Sequence, residues 1–464
     1  MRRIFHESRA SICPECCRVL PADYVSDDQG LQLEKFCPEH GAFSTRVAGS
    51  YRWLSNLQDY AAATFLPESR QTPVARGCPA DCGECEGHRQ KAAFFLFEIT
   101  TACDLDCPIC LGVPQSPGRF LSVADMEAMA ATVLEYAGPD ICATLGGGEP
   151  TLHPRFFELV GVLHRAGMNN IWVYTNGRRI ARDRPFAKRM ADENLYVVLQ
   201  WDGFRDEIYR VLRGASLLDE KQRALDNLRT SGARLGLCPT LVAGINDDQL
   251  GQLYRLFAGD QRIGTLDIAT MAFVGRGRRF PHGRDKRTTS QDVLLALEEQ
   301  TRGEILASDF SPVSFSHPEC LQIAYLLAVP GGGVIPLKRF LEPADYQALI
   351  RDTALLQLNA SAEGLLRDVV TRLWASGKTD ADTTRGLAAM RSLVDELFPM
   401  QGGLNEDQRK AKSVDLVKVI LVHSYMDGLN FDLGRAKKCI SRTVMPDGKL
   451  IPTCAFNVVH RNGR

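Results

Sequence analysis

Net charge is the first thing this chain does without: 55 lysines and arginines face 56 aspartates and glutamates, a formal charge of −1. Proteins that hold nucleic acid or anionic membrane by bulk electrostatics carry a basic excess, so no partner of that kind is expected. Long apolar runs are missing too. The most suggestive one, Cys320 to Leu337, is uncharged but broken by Pro330-Gly-Gly-Gly-Val, and a membrane span needs about 20 mostly apolar helical residues. The opening Met-Arg-Arg-Ile-Phe-His-Glu has no apolar h-region, which argues against a secretory signal and for a cytoplasmic location. There is no internal repeat and no low-complexity tract. A chain of 464 residues, 45% hydrophobic, is long enough for a sizeable core and for roughly three domains of about 150 residues.

Cysteine is what the chain has in quantity, 15 residues in clusters. In a long cytosolic chain such clusters bind metal or do redox chemistry more often than they form disulfides. The groups are Cys13, Cys16, Cys17 and Cys37; Cys78, Cys82 and Cys85; Cys103, Cys107 and Cys110; and Cys320, Cys439 and Cys454. Cys142 and Cys238 stand alone in apolar surroundings and read as core thiols.

Three regions are expected: a Cys-rich stretch 1–90, an α/β unit 91–280, and a mostly helical stretch 281–464. In the middle region, buried-strand patterns at Ala93–Ile99, Ile141–Leu145, Ile171–Thr175, Tyr196–Trp201, Leu235–Val242 and Leu266–Met271 alternate with helical ones. Strand then helix, repeated, implies a parallel sheet with right-handed crossovers, here a partial (β/α)6-type barrel. Chemistry in such folds sits at the C-terminal strand ends. After residue 281 helices are expected at Val293–Leu306, Pro343–Leu358, Glu363–Ala375, Thr384–Phe398 and Val414–Tyr425, then a two-strand segment around Met445-Pro-Asp-Gly. The Leu365–Trp374 helix reads as core, with the lining of an apolar channel as the alternative.

Thr101-Ala-Cys-Asp-Leu-Asp-Cys-Pro-Ile-Cys-Leu111 places a C-x3-C-x2-C set just after the first strand. Three thiolates are one too few for a closed tetrahedral ion site, but they suit a four-iron cluster with one iron open. The bland alternative is a zinc knuckle with a distant fourth ligand. With Gly146-Gly-Gly-Glu-Pro150 after the second strand, this motif resembles the radical S-adenosylmethionine (SAM) superfamily. The resemblance implies that Cys103, Cys107 and Cys110 hold a [4Fe–4S] cluster, whose open iron takes the amine and carboxylate of SAM. It implies that Gly147, Gly148 and Glu149 bind the cofactor's ammonium group, and that Thr175, Asn176 and Gln200 reach its ribose and carboxylate. Asn-Gly and Asp-Gly turn chemistry is the competing reading of those last positions. Ile109 replaces the aromatic residue many members carry before the third cysteine. Gly244-Ile-Asn-Asp could face the adenine.

Cys13-Pro-Glu-Cys16 and Cys37-Pro-Glu-His40-Gly make two knuckles, together a complete tetrahedral set for mononuclear zinc or iron; Gly41 suits the turn, and Cys17 is a substitute ligand. Cys78, Cys82 and Cys85 repeat the C-x3-C-x2-C spacing and read as ligands of an auxiliary iron–sulfur cluster, with His88 nearby. Cys320, Cys439 and Cys454 would complete it, hold another, or pack as buried thiols. The run of "CPEC", "CPEHG", "GCPADCGECEGH", "SHPEC" and Met426–Asn457 resembles the archaeal tetraether lipid synthases and related dihydropterin methyltransferase-like enzymes.

That resemblance implies an enzyme that cleaves SAM reductively to a 5′-deoxyadenosyl radical and abstracts hydrogen from an unactivated carbon. C–C bond formation on a lipid-like substrate is the first reading, radical methylation of a pterin-type heterocycle the alternative. A non-catalytic iron–sulfur electron carrier is the reading from another class, and an open iron argues against it. The expected partners are a small-molecule or lipid substrate and an electron donor such as flavodoxin or ferredoxin, with no nucleic acid. A lipid substrate would bring peripheral contact with a membrane, though no amphipathic anchor is evident. Gly275-Arg-Gly-Arg-Arg279, with His282 and Arg284, reads as a solvated basic loop or a phosphate site.

Overall fold

The computed structural model describes residues 3–60, 65–67, 72–115, 117–351, 356, 358, 360–399, 402–405, 408–409, 412–413 and 416–461. Four antiparallel strands come first: β1 (Ile4–Ile12), β2 (Val19–Asp27), β3 (Gly30–Cys37) and β4 (Gly41–Ala48), in that spatial order. A small cluster of Tyr24, Leu31, Leu33 and Leu54 packs this sheet. The two knuckles are the β1–β2 and β3–β4 connections, and Gly41 takes a φ of 80° as its turn requires. The ribbon is docked on the rest of the chain. Ser11 Oγ donates to the Phe431 carbonyl at 2.5 Å, Lys35 Nζ to that of Gly428 at 2.7 Å, and Tyr24 Oη to Glu319 at 2.9 Å.

The six expected strands are present as β5 (Phe94–Thr100), β6 (Cys142–Gly147), β7 (Ile171–Thr175), β8 (Tyr196–Gln200), β9 (Arg234–Cys238) with the short β10 (Thr240–Leu241), and β11 (Ile263–Thr270). All are parallel to their neighbours. Helices cover the outer face, where Phe95, Phe97, Val173, Leu199, Leu237 and Ile268 join the main core. The first helix, Val123–Ala137, starts at a capping box: Ser122 Oγ accepts from Asp125 N–H, and the Asp125 carboxylate accepts from Ser122 N–H. That reciprocal pairing satisfies helix-terminal donors worth about 1 kcal/mol. A short helix at Asp206–Arg213, not anticipated, follows β8.

The C-terminal stretch supplies the expected helices Pro343–Ile350, Ala360–Ala375 and Ala381–Leu397, and a helix Ser290–Gln300 shorter than expected. The remainder of the expected Pro343–Leu358 helix lies largely outside the described residues. The stretch also adds β12 (Ser311–Pro312), β13 (Leu321–Ala328), β14 (Val334–Pro336), β15 (Val417–His423), β16 (Ser441–Val444) and β17 (Leu450–Pro452) to the same sheet. The spatial order is β12-β13-β15-β11-β9-β8-β7-β6-β5-β16-β17. β15 runs parallel to β11 and β16 parallel to β5, so the parallel array extends at both ends.

β15 corrects the expected helix over 414–425; its first residues, Val414 and Asp415, lie outside the described set. Val417-Lys-Val-Ile-Leu-Val is buried on both faces. A run without alternation is ambiguous by period, and its β-branched residues decide for a strand. The Leu365–Trp374 segment is core, as expected: Leu366 and Val369 pack with Leu393 and Leu397, while Trp374 is exposed. Where this packing meets the lower lumen there is a cavity of about 60 Å³ lined by Trp172, Tyr196 and Val419.

The sheet is strongly curled. Tyr174 on β7 donates to Asp267 on β11 at 2.6 Å, although two strands stand between them. In a flat sheet three strand spacings of about 4.8 Å separate those backbones, so both side chains point into a concave lumen.

Candidate functional site

The loop after β5 is pinned from three sides. Gly148 N–H donates to the Thr100 carbonyl and Glu149 N–H to that of Ala102, both at 2.7 Å. A Cβ on Gly148 would overlap the Ala102 carbonyl oxygen, and one on Gly147, whose φ is +110°, that of Thr100. The glycines are therefore needed for close backbone approach. On a second side Gly275 sits against the carbonyls of Cys110 and Leu111, and Arg276 N–H donates to Cys110 O at 3.1 Å. On the third, Arg461, paired with Glu98 at 2.5 Å, lies beside Gly112 and Cys110. Arg276 pairs with Asp106, and Arg278 reaches the Pro14 carbonyl of the ribbon at 3.2 Å. These two arginines of the basic loop are thus committed to internal ties.

Cys103 and Cys107 pack against Leu105, Tyr209 and Leu217. Burial pushes the Cys103 thiol up to about 12 and raises that of Cys110. Such thiols stay neutral unless a cation compensates the thiolate. Among the described residues, Cys13, Cys16, Cys37 and His40 are the one group of three or more such side chains whose ligand atoms all lie within 4.8 Å of one another. The three loop thiols are therefore spread more widely than the shell of one ion, as a multi-iron cluster requires, and the donor set fits one.

Glu149 is wholly buried. One of its oxygens accepts from Thr151 N–H at 3.1 Å, Thr151 Oγ1 at 2.6 Å and Thr175 Oγ1 at 2.7 Å; the other accepts from Asn176 N–H at 2.7 Å. Burial raises its pKa and those bonds oppose the rise. Asn176 Nδ2 donates to Asp104 at 2.7 Å, tying the third strand end to the cysteine loop. Gln200 accepts from Lys221 Nζ at 2.5 Å, and its Nε2 donates to Asp202. Gly147, Gly148, Glu149, Thr175, Asn176 and Gln200 are thus gathered at the C-terminal ends of β6, β7 and β8. Ile109 packs with Ile208, Val242, Met271, Phe273 and Ile245, so the Gly244-Ile-Asn-Asp turn lies beside the loop.

Several further buried polar residues lie beside these. Asp202 is fully buried, held in a fork by Arg213 (2.7 and 2.7 Å) and by Thr240 N–H at 3.0 Å. Asn246 Nδ2 bridges the Asp202 and Thr240 carbonyls at 2.9 Å each. Burial lowers Lys221 to about 8. Arg213 and Lys221 sit on helices outside any motif and carried no readable signal, whereas Asp202-Gly203 and the Asn246 of Gly244-Ile-Asn-Asp stood in turns visible in the sequence.

The remaining cysteines form two further groups. Cys78, Cys82 and Cys85 are near enough to act on one another's charge. His88 is buried, hydrogen-bonded to the Lys437 and Gly83 backbone and lowered to about 3 by desolvation and then Arg442. Cys320, Cys439 and Cys454 come together around Arg435, whose Nε lies 3.4 Å from Cys320 Sγ. Arg442, paired with Glu84 and donating to the Cys439 carbonyl at 2.5 Å, stands between the two groups. Cys17 takes a φ of 58° and turns from the ribbon's ligand set toward the apolar cluster that Cys78, Cys82 and Cys454 also touch. Cys142 and Cys238 pack with Trp172 and Tyr196 in the lumen.

Residues 97–257 match the Radical SAM superfamily, and residues 5–49 match the HMPTM N-terminal zinc ribbon domain. The chain carries a radical SAM domain. Its radical SAM domain implies a [4Fe–4S] cluster and SAM, and its ribbon a further metal. The 7,8-dihydro-6-hydroxymethylpterin dimethyltransferase of Methanocaldococcus jannaschii is 26% identical over 97% of this chain and 93% of that protein. The mycofactocin maturase MftC of Mycolicibacterium smegmatis is 32% identical over 39% of this chain and 45% of its own. Among solved structures, Streptococcus suis SuiB bound to its precursor peptide SuiA aligns over 46% of each chain, with 15% identity and a TM-score of 0.38. No helix among the described residues is long and apolar enough to cross a membrane.

Proposed function

We propose that this radical SAM enzyme methylates a pterin-type heterocycle. The observation that carries the reading is the pterin dimethyltransferase relative, whose similarity runs through ribbon, barrel and C-terminal stretch alike. The expectation of a lipid substrate joined by C–C bond formation finds no comparable support among the relatives.

Cys103, Cys107 and Cys110 would hold the cluster. Gly147, Gly148, Glu149, Thr175, Asn176 and Gln200 would form the cradle for SAM, its ammonium group against the strand ends of β6 and β7. The cluster and cofactor supply the radical chemistry when bound. The chain's own part is to fix the loop, orient the cofactor and exclude water. The Glu149 hydrogen bonds hold the strand ends together, and the Asp202–Arg213 fork locks β8 to β10. The groups Cys78/Cys82/Cys85 and Cys320/Cys439/Cys454 would carry auxiliary clusters, fed by an electron donor such as flavodoxin or ferredoxin in the cytoplasm.

Anaerobic incubation of the iron-reconstituted protein with SAM, a strong reductant and 7,8-dihydro-6-hydroxymethylpterin tests this. The expected result is 5′-deoxyadenosine together with a pterin heavier by CH2 units, neither formed by the Cys103→Ala/Cys107→Ala/Cys110→Ala variant. Deoxyadenosine formed with the pterin unchanged would refute the pterin reading and leave the radical chemistry standing.

A further inference from the structure

One polar network in the lumen has no part in the cofactor cradle. His423 is the last residue of β15, the parallel strand added beyond the six expected ones. It pairs with Ala269, which pairs with Thr240 on the other side. His423 therefore stands level with the strand ends that Asp202 and Arg213 lace together, at the functional end of the sheet. Its Nε2 is 2.9 Å from Asp267. The other Asp267 oxygen accepts from Tyr174 Oη at 2.6 Å, from across the lumen. The Tyr425 ring stacks on the imidazole, 5.5 Å away and 14° from parallel.

Asp267 is buried, with the Cys238 thiol and the Tyr425 hydroxyl as further polar neighbours and apolar side chains around them. Trp172, Tyr196 and Val198 pack below it on one wall, Val419 and Leu421 on the other. A carboxylate there costs several kcal/mol in desolvation unless it is paired, and apolar side chains would pack the same space without that cost. What the carboxylate achieves is orientation. A carboxylate oxygen 2.9 Å from Nε2 favours the tautomer with its proton on that nitrogen and leaves Nδ1 as an acceptor. No partner for Nδ1 is present among the described residues, and the ring is 24% exposed.

We propose that His423, oriented by Asp267 and Tyr174, hydrogen-bonds an N–H group of a planar heterocyclic substrate and selects it over an apolar chain. The proposal rests on the pterin reading above. A reduced pterin has ring N–H and amino donors in one plane, and the Nδ1 lone pair lies in the plane of the imidazole, suited to such a donor. Asp267 and Tyr174 act through His423 as positioning residues.

The test is equilibrium binding of 7,8-dihydro-6-hydroxymethylpterin to the iron-loaded protein under anaerobic conditions with SAM present, followed by pterin fluorescence. Wild type should bind. His423→Phe should weaken binding about tenfold, the equivalent of one hydrogen bond. His423→Asn, whose side-chain oxygen falls near the Nδ1 position, should recover part of the loss, and Asp267→Asn should lie between. Iron content and melting temperature report whether each variant folds; if His423→Phe does not, His423→Asn and Asp267→Asn decide by the same readout. Equal affinity of wild type and folded variants overturns the role of His423 and leaves the pterin reading intact. Absence of binding to wild type overturns the pterin reading, and this proposal with it.

Discussion

Gly148 lies directly against Ala102. Its N–H donates to the Thr100 carbonyl, the next N–H, of Glu149, to that of Ala102, and there is no room for a methyl group between the two backbones. The second strand's Gly-Gly-Glu-Pro element and the cysteine loop are thus one unit, zipped at Thr100–Ala102. Gly148→Ala must push the loop that carries Cys103 away from β6. A displacement on the order of 1 Å at a reacting centre costs about a hundredfold in rate. Deoxyadenosine formation should fall by that order while the ribbon keeps its metal, a split that iron and zinc analysis of the purified variant would reveal.

Glu149 gathers four donors from Thr151, Thr175 and Asn176. Glutamine offers one oxygen and one amino group, so Glu149→Gln sets a donor against Thr151 and Thr175 or against Asn176 N–H. A buried donor left unsatisfied costs about 1–3 kcal/mol. The variant should melt lower, and its KM for SAM should rise. A variant that melts and binds as wild type would remove Glu149 from both roles.

The ribbon centre tests a different chemistry. His40 Nδ1 lies 3.5 Å from Cys37 Sγ and 3.7 Å from Cys13 Sγ, and Cys16 Sγ is 3.9 Å from Cys37 Sγ. These atoms need contract only modestly to close a tetrahedral shell. Elemental analysis should find one ion here that Cys37→Ser removes. A visible absorption band lost with that substitution would identify iron; a colourless loss would identify zinc. Because the ribbon docks through Ser11, Tyr24 and Lys35, metal loss should also lower the melting point of the whole chain.

The sequence carried the barrel well because its strands are short apolar runs separated by helices of clear period, and because glycines and cysteines mark its loops by type. It carried the C-terminal half poorly. Val417–Val422 is buried on both faces, and a strand without alternation looks like a core helix. Leu321–Ala328 was legible only as an interrupted apolar run, since neighbours on both sides, β12 and β14 against β15, exist only in three dimensions. The candidate site divides in the same way. Cys103, Glu149 and Asn176 sit in motifs, whereas Arg213, Lys221 and Asp267 owe their positions to tertiary contacts that no local spacing records.

Asp427 and Arg287 form a wholly buried pair at 2.7 Å, and Asp427 also accepts from Phe273 N–H at 2.9 Å. Desolvation works against the Asp427 carboxylate, but Arg287 and these backbone bonds hold its pKa below the usual value. Removing one partner of such a pair leaves an uncompensated charge, typically at a cost of about 3–5 kcal/mol. Asp427→Asn should therefore be among the most destabilising conservative changes in the chain. Asp427→Asn/Arg287→Met should recover part of the loss in denaturant titrations; an equal or larger loss in the double variant would show that the pair matters through Phe273 instead.

Lys418 gives the pH dependence a sign. Its ammonium is buried under β15, donating to the Phe257 carbonyl and, at 2.9 Å, to that of Asp260. Burial lowers it from 10.5 to about 8. Between those values the unfolded chain holds the extra proton, so the folded state gains from this group as pH rises from about 8 toward 10.5. Below pH 8 the folded lysine is charged and its desolvation penalty is complete. Lys418→Met has no proton to exchange. The stability of wild type minus that of Lys418→Met, measured at matched metal content, should be flat below pH 8 and climb above it. A difference that stays level to pH 10 would mean that the ammonium is as well solvated by its two carbonyls as by water, and that this end of β15 is open to solvent.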